Sequence, residues 1–121
     1  TMAIKKVLVV DDTATDLKKL EQIISEAGYT VITAASGKDA VDKAKNERPD
    51  AVFLDVIMPD MNGFQVCRAI KTDASTKGIP VVIVSSKGEK TDKAWGAEQG
   101  AQGYITKPYT SDQIVTQLRA L

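Results

Sequence analysis

The chain has 121 residues, of which sixteen are basic and sixteen are acidic, so its formal net charge is zero. This length predicts one domain, spanning residues 1–121, with a core that needs no disulfide support. The balanced charge argues against a nucleic-acid or membrane-surface partner, since either would favour a basic excess. The sequence contains no histidine, which excludes Ser-His, Cys-His and His-metal chemistry within the chain.

Two further features predict a cytoplasmic protein. No apolar run is long enough to span a bilayer, and the N-terminus has no signal-peptide core. Cys67 is the only cysteine, so no internal disulfide can form. Thr1 precedes Met2 and is interpreted as an addition ahead of the natural start. We expect no output domain after the last helix, and a monomer or weak dimer.

Five short apolar runs predict five β-strands, at residues 7–10, 31–34, 51–54, 81–84 and 104–106. Segments with helical periodicity lie between them. The first is predicted to end at Gly28, the second to begin at Ser36, and the last to begin at Thr110 with a capping box. Alternating strands and helices predict an α/β fold, a (βα)5 doubly wound parallel sheet with helices on both faces.

The fourth predicted helix, residues 89–99, differs from the others. Its expected inward face is only Ala94 and Ala97, with Ala101 just beyond its end and Trp95 off that face. Because small side chains bury little area, we expect this helix to be the most loosely held of the five. Two interpretations stay open, a helix that packs close to the sheet and a surface that repacks during signalling.

The third strand ends in Asp55, a carboxylate at the end of an otherwise apolar run. Met58-Pro59 and Asn62-Gly63 then turn the chain. Open α/β sheets place their chemistry at the carboxyl ends of the strands. We therefore predict that Asp55 is a phosphoryl acceptor.

Polar groups follow four of the predicted strands: Asp11 and Asp12, Asp55, Ser85 and Ser86, and Lys107. The carboxyl ends of parallel strands share one edge of a sheet, so these groups are expected to converge. Taken singly, each motif is most often a turn, a helix cap or a solvated loop. Their occurrence together at four strand ends favours a common site.

The chemistry of these groups fits phosphoryl transfer. Crowded carboxylates repel one another unless a cation or proton joins them, and oxygen ligands favour Mg²⁺. Asp12 and Asp55 would hold the ion, with Asp11 binding directly or through water. Lys107, the Ser85 hydroxyl and the Ser86 backbone N–H would bind phosphoryl oxygens around the carboxylate nucleophile.

These motifs resemble the signature of response-regulator receiver domains, the family of CheY: Asp11-Asp12, Asp55 with Met58-Pro59 and Gly63, Ser85, and Lys107-Pro108. The resemblance covers essentially the whole chain. It implies a flavodoxin-like, CheY-like three-layer sandwich with strand order 2-1-3-4-5. It also implies that Asp55 is phosphorylated. The protein would then not be an enzyme, because the only reactions it would catalyse are the phosphorylation and dephosphorylation of its own aspartate.

The same resemblance implies roles for further residues. The Ile57 backbone carbonyl would be a fourth Mg²⁺ ligand beside the three aspartates. Ser85 would be the switch hydroxyl, here serine where threonine is commoner, and Tyr104 the aromatic switch residue. Lys107 would precede a cis peptide bond. Ile57 and Lys87 would flank the path of attacking water, where Ile57 is expected to hinder hydrolysis.

Residues 85–96 resemble the stand-alone regulators of pilus-driven motility and phototaxis, the PilH type. The resemblance implies a phosphohistidine donor on a histidine kinase and a downstream protein target. That target would read a surface formed by the fourth helix, fifth strand and fifth helix, including Trp95, Tyr104 and Tyr109.

Alternative functions are a phosphorylation-independent adaptor and a phosphate sink for a sister regulator. Two enzyme types on similar sheets are disfavoured. Asp11 and Asp12 would repel the phosphate of a flavodoxin cofactor, and they are adjacent rather than in the D-x-D pattern of haloacid dehalogenase-type phosphatases.

Overall fold

The computed structural model describes residues 4–121. Thr1, which is interpreted above as an addition ahead of the natural start, lies outside the described residues. Strands and helices alternate along the chain: β1 Lys6–Val10, α1 Ala14–Glu26, β2 Thr30–Ala34, α2 Gly37–Glu47, β3 Ala51–Leu54, α3 Gly63–Thr72, β4 Val81–Ser85, α4 Lys90–Glu98, β5 Gly103–Thr106 and α5 Ser111–Ala120. All five predicted strands are present, with bounds within one residue of those expected.

The strands form one parallel sheet in the order β2-β1-β3-β4-β5, so the predicted fold class and strand order are confirmed. Successive strand residues point to opposite faces, and both faces of β3 are buried. One face packs against α1 and α5 through residues such as Phe53 and Ile114. The other packs against α2 and α3 through residues such as Leu54 and Ile70.

The predicted helix boundaries have the capping interactions that the sequence indicates. Ser36 accepts a hydrogen bond from the Asp39 backbone N–H at the start of α2. Thr110 forms a capping box with Gln113 at the start of α5. Gly28 has a φ of +102°, the left-handed conformation that glycine adopts readily after a helix. No helix within residues 4–121 has the length and apolarity needed to cross a membrane.

The predicted inward face of α4 is wrong. Ala94 and Ala97 are exposed, whereas Gly96 and the following Gln99 are buried. The expectation failed because it followed apolar side chains, while this helix approaches the sheet through a residue with no side chain. A methyl group on Gly96 would lie 3.0 Å from Ile83 Cδ1 and 3.2 Å from Tyr104 Cδ2. How loosely α4 is held remains a prediction.

Gly63, the first residue of α3, permits a close approach between this helix and the end of β3. Its backbone N–H donates to the Val56 carbonyl at 2.8 Å. A methyl group there would overlap the Asp55 carbonyl oxygen and lie 2.7 Å from Val56 Cα. Because these contacts are with backbone atoms, no side-chain rotation can relieve them.

We predict that Gly63→Ala lowers the free energy of unfolding by about 1–3 kcal/mol, the usual cost of overpacking. Urea denaturation of the purified variant measures this. Gly78→Ala is the matched control, because a methyl group on exposed Gly78 meets no atom within 4 Å. Equal stability of the two variants would show that α3 does not need this close approach.

Candidate functional site

Backbone hydrogen bonds extend past the strand ends and hold the predicted site residues at one edge of the sheet. The Asp11 N–H donates to the Ala34 carbonyl at 3.2 Å, and the Asp55 N–H donates to the Val10 carbonyl at 3.0 Å. The Lys107 N–H donates to the Ser85 carbonyl at 2.9 Å. The parallel ladder thus places residues from four strands side by side.

Asp11, Asp12 and Asp55 form an acidic cluster in which one carboxylate oxygen from each lies within 4.8 Å of the others. Asp11 and Asp55 are buried, and Asp12 is exposed at the mouth of the site. Close carboxylate oxygens without imidazole or thiolate donors are the ligand set that suits Mg²⁺. The donor chemistry therefore fits the predicted metal.

The Lys107 ammonium group binds three carboxylates. Its Nζ atom lies 2.9 Å from Asp11 Oδ2, 3.2 Å from Asp55 Oδ2 and 3.1 Å from Asp16 Oδ2. The Lys107–Pro108 peptide bond is cis, as the resemblance implied. The predicted convergence of Lys107 with the acidic cluster is present in the structure.

Sequence reasoning missed Asp16. It lies in the first turn of α1, five residues after Asp11, where an acidic residue is usually explained by the helix dipole alone. The sequence does carry one signal for Asp16, since α1 begins directly after β1 and Asp16 lies near the start of α1. The first turn of such a helix lies beside the same sheet edge as the site.

The pKa values of Lys107 and Asp11 are both raised, but for different reasons. Burial opposes the charge on Lys107, yet hydrogen bonds to Asp11 and Asp16 and the charge of Asp55 raise its pKa. Burial raises the pKa of Asp11, against the lowering effect of its bonds to Lys107 and to the Thr13 N–H. The ammonium is strongly held, whereas the Asp11 carboxylate carries a desolvation cost.

The two oxygens of Asp55 have different neighbours. Oδ1 accepts a hydrogen bond from the Val56 N–H at 2.7 Å and a longer one from the Ile57 N–H at 3.4 Å. Oδ2 faces Lys107. The Ile57 side chain is 52% exposed beside the site. The roles of the Ile57 carbonyl as a ligand and of its side chain as a barrier to water remain predictions.

The backbone of Lys87 links the two predicted switch residues. Ser85 is fully buried, and its Oγ accepts a hydrogen bond from the Lys87 N–H at 3.2 Å. The Tyr104 hydroxyl donates to the Lys87 carbonyl. The peptide groups on both sides of Lys87 thus join a residue at the end of β4 to a residue in β5.

The remaining predicted residues lie around the acidic cluster rather than in it. Ser86 and Tyr109 border a cavity of about 350 Å³, which Lys107, Asp16 and Lys19 also line. Trp95 is 51% exposed on α4, next to Gly96. These positions put Tyr109 beside the site and Trp95 on the surface of α4, adjacent in sequence to Gly96, which packs near the Tyr104 ring.

We predict a distinctive pH dependence for Asp11→Asn in magnesium-free buffer. A raised pKa in the folded state means that the stabilising contribution of Asp11 is lost as pH rises through that pKa. Removing the carboxyl group removes this loss, so the stability of the variant relative to the unaltered protein should increase between pH 4 and pH 7. Urea denaturation across this range measures the difference.

Asp60→Asn provides the control with opposite sign. The Asp60 carboxylate accepts hydrogen bonds from the Lys38 N–H at 2.9 Å and the Gly37 N–H at 3.0 Å, and these bonds lower its pKa. Its contribution is present above the unfolded pKa and is lost as pH falls through the folded one. The relative stability of this variant should therefore decrease as pH rises toward the unfolded pKa and stay nearly level from pH 4 to pH 7, the range in which that of Asp11→Asn increases. Parallel curves for the two variants would contradict the electrostatic account of the site.

Known proteins share both the sequence and the architecture. The family described as the response regulator receiver domain matches residues 7–119. Protein PilH of Pseudomonas aeruginosa is 41% identical over 116 residues, which cover 96% of this chain and 96% of PilH. The alkaline phosphatase synthesis transcriptional regulatory protein PhoP of Bacillus subtilis is 36% identical over 97% of this chain, but the chain spans only 48% of that protein.

The same relationship holds for solved structures. The chemotaxis protein CheY4 of Vibrio cholerae superposes with a TM-score of 0.91 at 32% identity, and the match covers 98% of both chains. The family match over most of the chain, the relatives and the strand order agree with one another. This chain therefore belongs to the response-regulator receiver family, has the CheY-like fold, and is not a conventional enzyme.

Proposed function

We propose that this protein is a phosphorylation-driven switch of a two-component pathway, in which Asp55 accepts a phosphoryl group from a histidine kinase. Receiver domains are phosphorylated by histidine kinases, and this chain has no histidine of its own to act as donor. The observation that carries the proposal is the approach of Lys107 Nζ to within 3.2 Å of Asp55 Oδ2, beside the three clustered carboxylates.

The residues suited to hold Mg²⁺ are Asp11, Asp12 and Asp55, with the Ile57 carbonyl as a further ligand. When bound, the ion would supply positive charge that offsets the negative charge of the carboxylates and the phosphoryl oxygens. Lys107, which contacts Asp11 and Asp55, would neutralise charge on the same group of oxygens. The Ser85 hydroxyl and the Ser86 N–H are the donors proposed for the remaining phosphoryl oxygens.

The transfer forms one bond and breaks one. A carboxylate oxygen of Asp55 forms an O–P bond as the N–P bond of phosphohistidine breaks. The electron pair of the broken bond returns to the imidazole nitrogen of the donor, which leaves as neutral imidazole when its second nitrogen carries a proton. The product is an acyl phosphate on Asp55, and the catalytic contribution of the chain is positioning and charge neutralisation.

The switch would operate through the Lys87 backbone. A phosphoryl group on Asp55 offers the Ser85 hydroxyl a charged acceptor, and a hydrogen bond to a charged group is stronger than one between neutral groups. If Ser85 turns toward it, the Lys87 N–H loses its partner and the loop before α4 is released. The Tyr104 hydroxyl, bound to the Lys87 carbonyl, then rearranges with it and changes the surface of α4, β5 and α5 near Trp95.

The sequence resemblance and the 41% identity to PilH support motility or chemotaxis-type control as the setting. We propose that residues 1–121 act as one receiver domain in the cytoplasm and that the altered surface binds a downstream protein. A phosphate sink would share the same chemistry and differ only in having no such target. A phosphorylation-independent adaptor would not need the complete acidic cluster with its lysine.

We predict that the protein gains one phosphoryl group when it is incubated with acetyl phosphate and Mg²⁺. Asp55→Asn should abolish the gain, because the nucleophilic oxygen is lost. Lys107→Ala should slow it roughly 10- to 100-fold, since a hydrogen bond to a charged group contributes about 1.5–3 kcal/mol. Intact-protein mass spectrometry over time measures the rates.

Asp60→Asn serves as the control, because it removes a nearby carboxylate that contacts the α2 N-terminus rather than Lys107. Its rate should match that of the unaltered protein. A phosphoryl gain that survives in Asp55→Asn would show that another residue is the acceptor. No gain in the unaltered protein would favour the adaptor.

We predict that Trp95 fluorescence changes on phosphorylation and that Ser85→Ala and Tyr104→Phe each reduce the change at equal phosphoryl occupancy. Each substitution removes one of the two hydrogen bonds to the Lys87 backbone. Tyr29→Phe is the matched control, because half-buried Tyr29 packs with α1 and α5 on one face of the sheet and is not hydrogen-bonded to Lys87. Full responses from both switch variants would contradict coupling through Lys87.

A further inference from the structure

We propose that Asp16 is a positioning residue that occupies Lys107 in the unphosphorylated protein and competes with the incoming phosphoryl group for its ammonium. This inference rests on the proposed function and deepens it. It assigns to the first turn of α1 a role in setting how readily the site takes a phosphoryl anion.

The first argument is the hydrogen-bonding capacity of lysine. An ammonium group has three N–H donors. Its three acceptors here are Asp11 at 2.9 Å, Asp16 at 3.1 Å and Asp55 at 3.2 Å. Every donor is therefore used, and a phosphoryl oxygen can bind Lys107 only if one carboxylate gives up its hydrogen bond.

The second argument is the unequal burial of the three carboxylates. The side chains of Asp11 and Asp55 are 3% and 9% exposed, whereas that of Asp16 is 44% exposed. A carboxylate that loses its ammonium partner inside the protein keeps a desolvation cost, while an exposed one is rehydrated. Asp16 is therefore the partner that Lys107 releases at the lowest cost.

The third argument is that a neighbouring residue of α1 contacts the loop that carries Lys107. Lys19, three residues after Asp16, places its ammonium 4.9 Å from the centre of the Tyr109 ring. Both contacts border the cavity beside the site. The backbone of α1 thus holds the Asp16 carboxylate beside Lys107 and Ser86, two groups proposed to bind phosphoryl oxygens, where its charge would also repel those oxygens.

The test is the affinity of the protein for beryllofluoride, an anion that mimics a phosphoryl group, measured by titration calorimetry with Mg²⁺ present. Asp16→Asn should bind it about two- to fivefold more tightly, the range expected for the loss of one partly exposed ion pair. The gain should shrink at high salt, because screening weakens interactions between exposed charges. A merely structural role for Asp16 would show no such salt dependence.

Two variants control for charge and shape. Asp16→Glu keeps the carboxylate and should retain the affinity of the unaltered protein. Glu26→Gln removes the same charge from an exposed position on the same helix, about 15 Å further along by helix rise, and should also leave the affinity unchanged.

The outcomes separate the inference from the function on which it rests. Beryllofluoride binding by the unaltered protein with unchanged or weaker binding by Asp16→Asn would overturn the competition alone. No binding by the unaltered protein, or equal binding by Asp55→Asn, would overturn the proposed function and the competition with it. If Asp16→Asn and Glu26→Gln both bind beryllofluoride equally more tightly, the change in net charge alone explains the effect. That result would also overturn the competition.

Discussion

The site depends on one interaction, the ammonium of Lys107 shared among carboxylates from three different elements. Asp11 follows β1, Asp55 follows β3 and Asp16 lies in α1, so this contact joins segments separated by 52 to 96 residues along the chain. Without a cation, the buried carboxylates of Asp11 and Asp55 and the partly exposed carboxylate of Asp16 would repel one another. The apolar sheet is what holds these charges at a common edge.

The same geometry fits a site that responds to a new charge better than one that only adds stability. A buried ion pair contributes little net stability, because desolvation offsets much of the attraction. On the proposed function, a phosphoryl group at Asp55 would compete for the three N–H donors of Lys107, which are already used. Ser85 and Tyr104 meet on the Lys87 backbone close by, so a rearrangement at the acidic cluster has a short covalent path to α4.

Much of this structure could be predicted from the sequence because it follows from strong local patterns. Short apolar runs at fairly even spacing identify the strands, and polar residues at four strand ends identify Asp11, Asp55 and Lys107. The inward face of α4 could not be predicted, since Gly96 packs through its missing side chain. Asp16 was also missed, because its contact with Lys107 depends on the three-dimensional position of a helix turn.

The central claim is that Asp55 is the nucleophile that takes the phosphoryl group. Its most direct test is to treat the protein with acetyl phosphate and Mg²⁺, reduce the acyl phosphate with labelled borohydride, and map the label by peptide sequencing. The account predicts label at residue 55 alone. Label at Asp11 or Asp12, or a labelled Asp55→Asn variant, would contradict it.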